Sequence, residues 1–145
     1  MGARLRPGLK PRLVLDTGAL IALERNDRRA FEHLKAASER GFLVVIPTTV
    51  VMEAFAQARS VERLNQVLKA INKELDLTPA VSHHVAALRH KAQMGSDADA
   101  IVVLEALAVP GSAILTDDRR DIEALIAAAG AHGQIPILSV SPDKR

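Results

Sequence analysis

In Leu13-Val14-Leu15-Asp16-Thr17-Gly18, a short aliphatic run stops at an acid and a turn. A continuous apolar run bounded by turn residues is typical of a buried strand. Largely apolar runs follow at 42–46, 113–115 and 137–140, and Leu75-Asp76-Leu77 is a candidate for a further short strand. Apolar residues at helical spacing fill the stretches between them. Alternating buried strands and helices predict a parallel sheet covered on both faces. We therefore expect a three-layer α/β/α domain with a central, mostly parallel sheet of about five strands.

The starts of three helices are predicted from hydroxyl residues that can cap them. Ser60 and Ser96 each precede an apolar helical pattern, and Thr48 or Thr49 can cap the helix after the second strand. Further helices are expected at 19–24, through Phe31 to Lys35 up to Gly41, and near 80–94 and 119–129. No internal repeat or composition change suggests a second domain, so residues 13–145 are expected to form one domain.

The first twelve residues differ from the rest because they are basic and contain no acid. Their cationic residues are Arg4, Arg6, Lys10 and Arg12. We expect residues 1–12 to be a solvated basic arm. Over the whole chain, 19 Lys and Arg against 17 Asp and Glu leave a formal charge of only +2, which by itself does not indicate nucleic-acid binding.

Composition excludes several classes of site. The 145-residue chain has no cysteine, which rules out disulfides, thiolate metal sites and a cysteine nucleophile. Aromatic residues make up only 2% of the chain, so there is almost no platform on which single-stranded bases could stack. No signal-peptide pattern and no apolar run of about 20 residues is present, so we expect a cytoplasmic protein without a membrane segment.

The most informative feature is where the carboxylates fall along the predicted strands. Asp16 comes directly after the first strand, and Asp117 and Asp118 come after the fourth. Glu53 lies in the helix that follows the second strand. In open α/β sheets, ligands bind beyond the carboxyl ends of the strands. These acids are therefore expected to meet at one edge of the sheet.

Further acids open the most apolar helix of the chain. Asp97 and Asp99 precede the apolar run 100–104. A helix that is apolar nearly all round is buried, which brings acids in its first turn close to the interior. Converging carboxylates repel each other unless positive charge offsets them, and hard divalent cations bind carboxylate oxygens. The expected partner is Mg²⁺ or Mn²⁺, which activates water for phosphodiester hydrolysis.

Each acid alone also has a purely structural explanation. Asp16 fits a turn or a helix cap, and Glu53 fits a solvated helix position. Asp97 suits the positive end of a helix dipole, as do Asp118 and Asp121 at the start of the last helix. Only the joint placement of these acids favours a functional site.

Four segments resemble those of the PIN domain family, in particular the VapC toxins of bacterial toxin–antitoxin pairs. They are residues 13–21, 46–53, 99–106 and 114–122, and the similarity runs from 13 to 140. In each segment, the acid that the resemblance assigns to the site lies near a strand end or a helix start. These acids are Asp16, Glu53, Asp99 and Asp118.

The resemblance implies a metal-dependent endoribonuclease with a PIN-like fold, acting on tRNA, rRNA or mRNA. It also implies a homodimer and a small antitoxin protein that occupies the site. Asp16, Glu53, Asp99 and Asp118 would hold Mg²⁺ or Mn²⁺ and orient the attacking water. Thr116 would hydrogen-bond near the phosphate or a metal-bound water.

Three more acids are candidates on the same resemblance: Asp117, Asp97 and Asp121. On a helix, Asp97 and Asp99 face different ways, so both contribute only if the helix starts at Asp99. Candidate RNA phosphate contacts are Arg119, Arg120, Arg89 and Lys91. Solvated helix faces explain these cations equally well.

Other functions are less compatible with the sequence. Gly18 stands where a haloacid-dehalogenase-like phosphatase needs a second Asp, and no Gly-rich phosphate loop with Lys-Ser/Thr is present. Two alternatives stay open. One is a catalytically inactive PIN-like binding or scaffold module, and the other is a PIN nuclease of RNA processing that has no antitoxin.

Overall fold

A computed structural model describes residues 10–71 and 73–142, which form five strands and seven helices. In chain order the elements are β1 (Arg12–Leu15), α1 (Thr17–Glu24), α2 (Arg28–Glu39), β2 (Leu43–Pro47), α3 (Thr48–Gln57), α4 (Val61–Ala70), β3 (Lys73–Leu75), α5 (Pro79–Ala92), α6 (Asp97–Leu107), β4 (Ala113–Thr116), α7 (Arg119–Ala128) and β5 (Ile137–Ser139). The alternation of strands and helices is the one predicted.

The five described strands form a single sheet in the order β3-β2-β1-β4-β5, and each of their pairings is parallel. Helix α6 packs against β1, β2 and β4, and α2 packs against β2 and β5. The predicted three-layer α/β/α fold is confirmed. The strands of its centre are buried, since Leu13, Val14 and Leu15 are all fully inaccessible to solvent.

The strand order places a candidate ligand site before any side chain is considered. From β1 the chain proceeds to β2 on one side of it, whereas β4 pairs with β1 on the other side. Such a change of direction opens a crevice at the carboxyl ends of the two strands. Asp16 follows β1 at this point, and Thr116 is the last residue of β4.

The predicted helix starts are correct at two of the three positions. Ser60 and Ser96 are the N-cap residues of α4 and α6, and each side chain accepts a backbone N–H bond. The prediction for Thr48 or Thr49 was wrong. The N-cap of α3 is Pro47, which makes no side-chain capping bond, because β2 runs directly into the helix without an intervening turn.

The ends of the chain are only partly covered. Residues 1–9 of the predicted basic arm lie outside the described residues. Arg12, its last residue, is the first residue of β1 and pairs in register with Leu43. Over the described ranges 10–71 and 73–142, the helices lack the combined length and apolarity that a membrane crossing requires.

An ion pair between Arg12 and Glu105 links β1 to α6 and contributes to stability. Nη1 of Arg12 donates to the backbone oxygen of Glu105 at 3.0 Å and lies 3.8 Å from its Oε1. Burial raises the pKa of Glu105, and the charge of Arg12 lowers it. We expect Arg12→Met to lower the free energy of unfolding by about 2 kcal/mol, since a carboxylate would stay buried without its partner.

Urea denaturation at neutral pH measures this effect. The double variant Arg12→Met/Glu105→Met should recover most of the loss, because it removes both charges together. Equal stabilities of the wild type and Arg12→Met would contradict the expectation.

Candidate active site

Thr116 connects the ends of the two central strands. The backbone N–H of Asp16 donates to the oxygen of Leu115 at 3.1 Å, which continues the pairing of β1 with β4. The Thr116 hydroxyl donates to Oδ2 of Asp16, and its oxygen accepts the backbone N–H of Asp118 at 2.8 Å. One buried hydroxyl therefore joins two segments that both resemblance and strand order assign to the site.

Asp16 is held in place on both carboxylate oxygens and is almost completely buried, with 2% of its surface exposed. Its Oδ1 accepts the backbone N–H of Ala19 at 2.8 Å and so caps α1. Burial raises the pKa of Asp16 from 3.8 to about 7, against the lowering effect of the hydrogen bonds from Thr116 and Ala19. The charges of Asp117 and Asp99 raise it further. The ionised carboxylate therefore needs a compensating cation.

Glu53 reaches the same edge through a residue that the sequence did not single out. The Thr17 hydroxyl donates to Oε2 of Glu53 at 2.8 Å. Helices α1 and α3 pack against each other, which brings the residue next to Asp16 up to the middle of α3. The only signal for Thr17 in the sequence is its position directly after the strand-end acid.

Asp99 lies in the first turn of α6 as predicted. It forms a reciprocal capping box with Ser96, in which Oδ2 of Asp99 accepts the Ser96 N–H and the Ser96 hydroxyl accepts the Asp99 N–H, both at 3.1 Å. Because α6 begins at Asp97, the condition under which Asp97 would join Asp99 is not met. Asp97 is exposed and pairs with Nη1 of Arg89 at 2.9 Å.

Asp118 and Asp121 form a second acidic pair at the start of α7. Asp118 is the N-cap, and its Oδ1 accepts the Asp121 N–H at 3.3 Å. Desolvation, the charge and side-chain hydrogen bond of Asp118, and the charge of Asp99 all raise the pKa of Asp121, whereas Arg120 lowers it. Asp99 thus interacts electrostatically with both Asp16 and Asp121.

Asp117 lies on the other side of the site, against α1. Its carboxylate occupies the space above Gly18, where an added Cβ would come within 1.8 Å of Cγ of Asp117. Only a glycine leaves room for this approach without displacing the carboxylate. Asp117 is exposed, and its charge acts on Asp16.

The donor set fits a hard divalent cation, but its geometry is not that of a closed site. Mutually repelling carboxylates around Asp16 have the chemistry that Mg²⁺ and Mn²⁺ prefer. Across the described residues, however, no three His, Cys, Asp or Glu side chains converge closely enough to hold an ion. Glu53, Asp99 and Asp118 instead bond to Thr17, Ser96 and Asp121. Coordination would require side-chain rotations at these positions.

The four candidate phosphate contacts differ in whether their side chains already have partners in the fold. Arg89 donates to Asp97 and to the oxygen of Gly95. Arg119 pairs with Glu123 at 2.7 Å and donates to the oxygen of Ile137. Arg120 is exposed and close enough to Asp121 to lower its pKa, and Lys91 is exposed on α5.

The buried Asp16 yields a prediction for metal-free protein. Its folded-state pKa of about 7 exceeds the ordinary value of 3.8, so the folded state retains a proton that the unfolded state loses. This contribution to stability is present at low pH and is lost as the pH rises through about 7. In EDTA we expect Asp16→Asn to be more stable than the wild type at pH 8, on the order of 2 kcal/mol, and less so at pH 5.

Urea denaturation of both proteins at the two pH values tests this. Only the difference between the proteins is interpreted, since other carboxylates titrate in both. Asparagine keeps the capping acceptor for Ala19 but replaces Oδ2, the acceptor for the Thr116 hydroxyl, with an amide nitrogen. The loss of that bond is the same at both pH values, so the change of the stability difference between pH 5 and pH 8 isolates the charge. A stability difference between the two proteins that is the same at pH 5 and pH 8 would refute the assigned cause.

Comparisons with known proteins agree with this architecture. The family model described as PIN domain matches residues 13–131. No curated protein sequence matches the chain. Among solved structures, a chain of VapBC2 from Rickettsia felis, bound to a DNA fragment from their promoter, superposes with a TM-score of 0.59 and 10% identity. The alignment covers 89% of this chain and 98% of that chain, and at this identity it shows a shared fold.

Proposed function

Because the chain belongs to the PIN domain family, we propose that it is a metal-dependent endoribonuclease and the toxin of a toxin–antitoxin pair. PIN domains are nucleases and generally use divalent metal ions. The observation that supports this function best is the buried Asp16, whose pKa is raised by burial and by the charges of Asp117 and Asp99. A cation at this edge would relieve the repulsion.

We assign the cation to Asp16, Glu53, Asp99 and Asp118, with Mg²⁺ or Mn²⁺ as the ion. When bound, it would supply an activated water and offset charge on the phosphate. The residues of the chain have separate tasks. Thr116 orients Asp16 and the start of α7, and Thr17 orients Glu53. Hydrogen bonds of this kind, one step removed from the ion, typically change metal affinity or activity about 10- to 100-fold.

Asp117 and Asp121 are proposed to add negative charge around the ion without holding it. Asp117 interacts electrostatically with Asp16, and Asp121 interacts with Asp118 and Asp99. Among the cations, Arg120 and Lys91 are the proposed RNA phosphate contacts. Arg89 and Arg119 would first have to leave their acidic partners.

The proposed partners follow from the family and from the likeness to VapBC2. We propose that a small antitoxin protein covers the acid edge, that the chain forms a homodimer, and that its target is cytoplasmic RNA. VapBC2 was solved with a fragment of its own promoter DNA. Co-expression with any small gene found directly beside its own, followed by size-exclusion chromatography, tests the complex and the dimer together.

Asp99→Asn tests the enzyme itself. We expect the purified wild type to cut bacterial tRNA or rRNA in Mg²⁺ or Mn²⁺, and cleavage to stop in EDTA. Asp99→Asn should lower the cleavage rate at least a hundredfold, since a bound metal contributes several kcal/mol to stabilisation of the transition state. Asp97→Asn is the matched control. It makes the same chemical change two residues away, on a side chain paired with Arg89, and should cut normally.

The inactive binding module is favoured by one observation, that the described acids do not converge as they stand. Calorimetric titration of the purified, antitoxin-free protein with Mn²⁺ separates the two functions. Metal binding that Asp99→Asn weakens supports the nuclease. A folded protein that binds no metal and cuts no RNA would support the catalytically inactive binding module instead.

A further inference from the structure

A cavity adjoins the acid edge and is not used by the proposed chemistry. It has a volume of about 290 Å³ and lies between α1 and the segment that follows β5. Gly18 and Asp117 form part of its lining. The charge of Asp117 also acts on Asp16. The cavity therefore lies directly beside the candidate metal site. A substrate strand crossing the acid edge would pass its mouth.

One wall of the cavity offers both hydrogen-bond donors and acceptors. Arg25 and Asp27 line it from the turn between α1 and α2. Within the described residues, the Arg25 guanidinium makes no hydrogen bond; its one ion pair, with Oε2 of Glu24, is 3.9 Å long and too long for a hydrogen bond. The donors of Arg25 are thus available to a ligand.

Asp27 is a fixed acceptor on the same wall. Its Oδ2 accepts the backbone N–H groups of Ala30 at 2.9 Å and Ser141 at 3.2 Å. Burial acts to raise the pKa of Asp27, but hydrogen bonds from Ser141 and Ala30 lower it below its usual value. An ionised carboxylate has about four acceptor sites. Acceptor capacity therefore remains after these contacts.

The other walls are aliphatic and the lining contains no aromatic residue. Ile21 and Ala22 contribute from α1, and Val140 and Pro142 from the segment after β5. Apolar walls with a few placed polar groups are typical of small-ligand pockets, whose volumes begin at about 300 Å³. The volume and lining suit a single flat, neutral group with hydrogen-bonding edges.

We propose that this cavity binds one base of the RNA substrate and selects guanine. Guanine presents two adjacent acceptors, O6 and N7, that a guanidinium binds as a pair, and Arg to guanine is the commonest specific base contact. Its N1–H and N2–H groups are donors that suit the Asp27 carboxylate. In single-stranded RNA both edges are available for readout. The proposal rests on the proposed nuclease function and adds the determinant of its sequence preference.

Binding of two labelled oligoribonucleotides tests this, with fluorescence anisotropy of Asp99→Asn protein in Mg²⁺. A uridine strand with a single central guanine (the U/G strand) should bind about tenfold tighter than the same strand with adenine at that position (the U/A strand). Replacing guanine by 7-deazaguanine, which lacks the N7 acceptor, should remove part of this preference. Arg25→Gln should remove the preference, whereas the control Arg28→Gln, which has the same charge change outside the lining, should keep it.

A second variant tests the cavity without changing any charge. Ala22→Leu partly fills the space and should weaken U/G binding while U/A binding stays the same. Equal affinities for the two strands, a preference that survives Arg25→Gln, or no binding of either strand would each overturn the proposal. Cleavage by the wild type is scored separately. Guanine-dependent binding without cleavage would contradict the proposed nuclease function but support base binding in the cavity. Cleavage without an Arg25-dependent preference would support the nuclease function but contradict base binding in the cavity.

Discussion

Asp16→Asn is expected to abolish RNA cleavage, by a factor of at least a hundred, while the protein stays folded. The substitution keeps the size of the side chain and the acceptor for Ala19, so α1 keeps its cap. It removes the negative charge nearest the centre of the proposed metal site. A metal that contributes several kcal/mol of transition-state stabilisation corresponds to more than a hundredfold in rate.

This variant separates activity from stability in a way few substitutions do. A residue needed only for folding would lose stability and activity together. Here the metal-free variant is expected to be more stable than the wild type at pH 8, because the burial that raises the pKa of Asp16 to about 7 also makes its charged form unfavourable in the fold. Loss of cutting alongside a gain in stability would identify Asp16 as a functional residue.

Single-turnover cleavage of a labelled RNA at saturating Mn²⁺, with Asp97→Asn in parallel, measures the effect. Adding Mn²⁺ should raise the melting temperature of the wild type and leave that of Asp16→Asn nearly unchanged. Cleavage within threefold of the wild type would show that the metal is held elsewhere or not needed.

Thr116→Val is expected to have the second largest effect, a loss of roughly 10- to 100-fold in cleavage and about 2 kcal/mol in stability. Valine has nearly the shape of threonine but no hydroxyl. It would remove the hydrogen bond to Oδ2 of Asp16 and the acceptor for the N–H of Asp118. Thr116 is fully buried, so water would not easily replace these partners.

The pH dependence of metal binding distinguishes an orienting role from a loss of packing. The hydrogen bond from Thr116 lowers the pKa of Asp16, so its removal should raise this pKa. Mn²⁺ binding would then require a higher pH in Thr116→Val than in the wild type. Thr116→Ser retains the hydroxyl and should restore the wild-type pH dependence, despite the loss of one methyl group. An unchanged pH dependence in Thr116→Val would argue that the residue acts through packing alone.

The edge of the sheet at which the candidate acids lie could be predicted from the sequence, because it depends on where the strands end. Asp16 and Asp118 follow two apolar runs, and parallel strands bring their carboxyl ends to one edge. The start of α6 could also be predicted, since Ser96 and Asp99 have the spacing of a reciprocal cap. These features depend on residues close together along the chain or on a rule of topology.

The contacts between elements could not be predicted in the same way. The bond from Thr17 to Glu53 spans 36 positions and depends on how α1 packs on α3. Arg89 was a candidate phosphate contact, yet the turn between α5 and α6 brings it onto Asp97. The missing cap of α3 likewise depends on β2 continuing to Pro47. In each case the deciding information is a three-dimensional neighbour.

The bond between Thr116 and Asp16 crosses 100 positions of the chain. A ribosome that has made the first half of the protein has therefore produced Asp16 without the β4 residue that orients it. No truncated product that ends before β4 would contain an assembled site. For a protein proposed to attack RNA, a product that ends before β4 would lack Asp118 and the hydroxyl that holds Asp16, so a premature stop codon in this part of the gene is expected to give an inactive product.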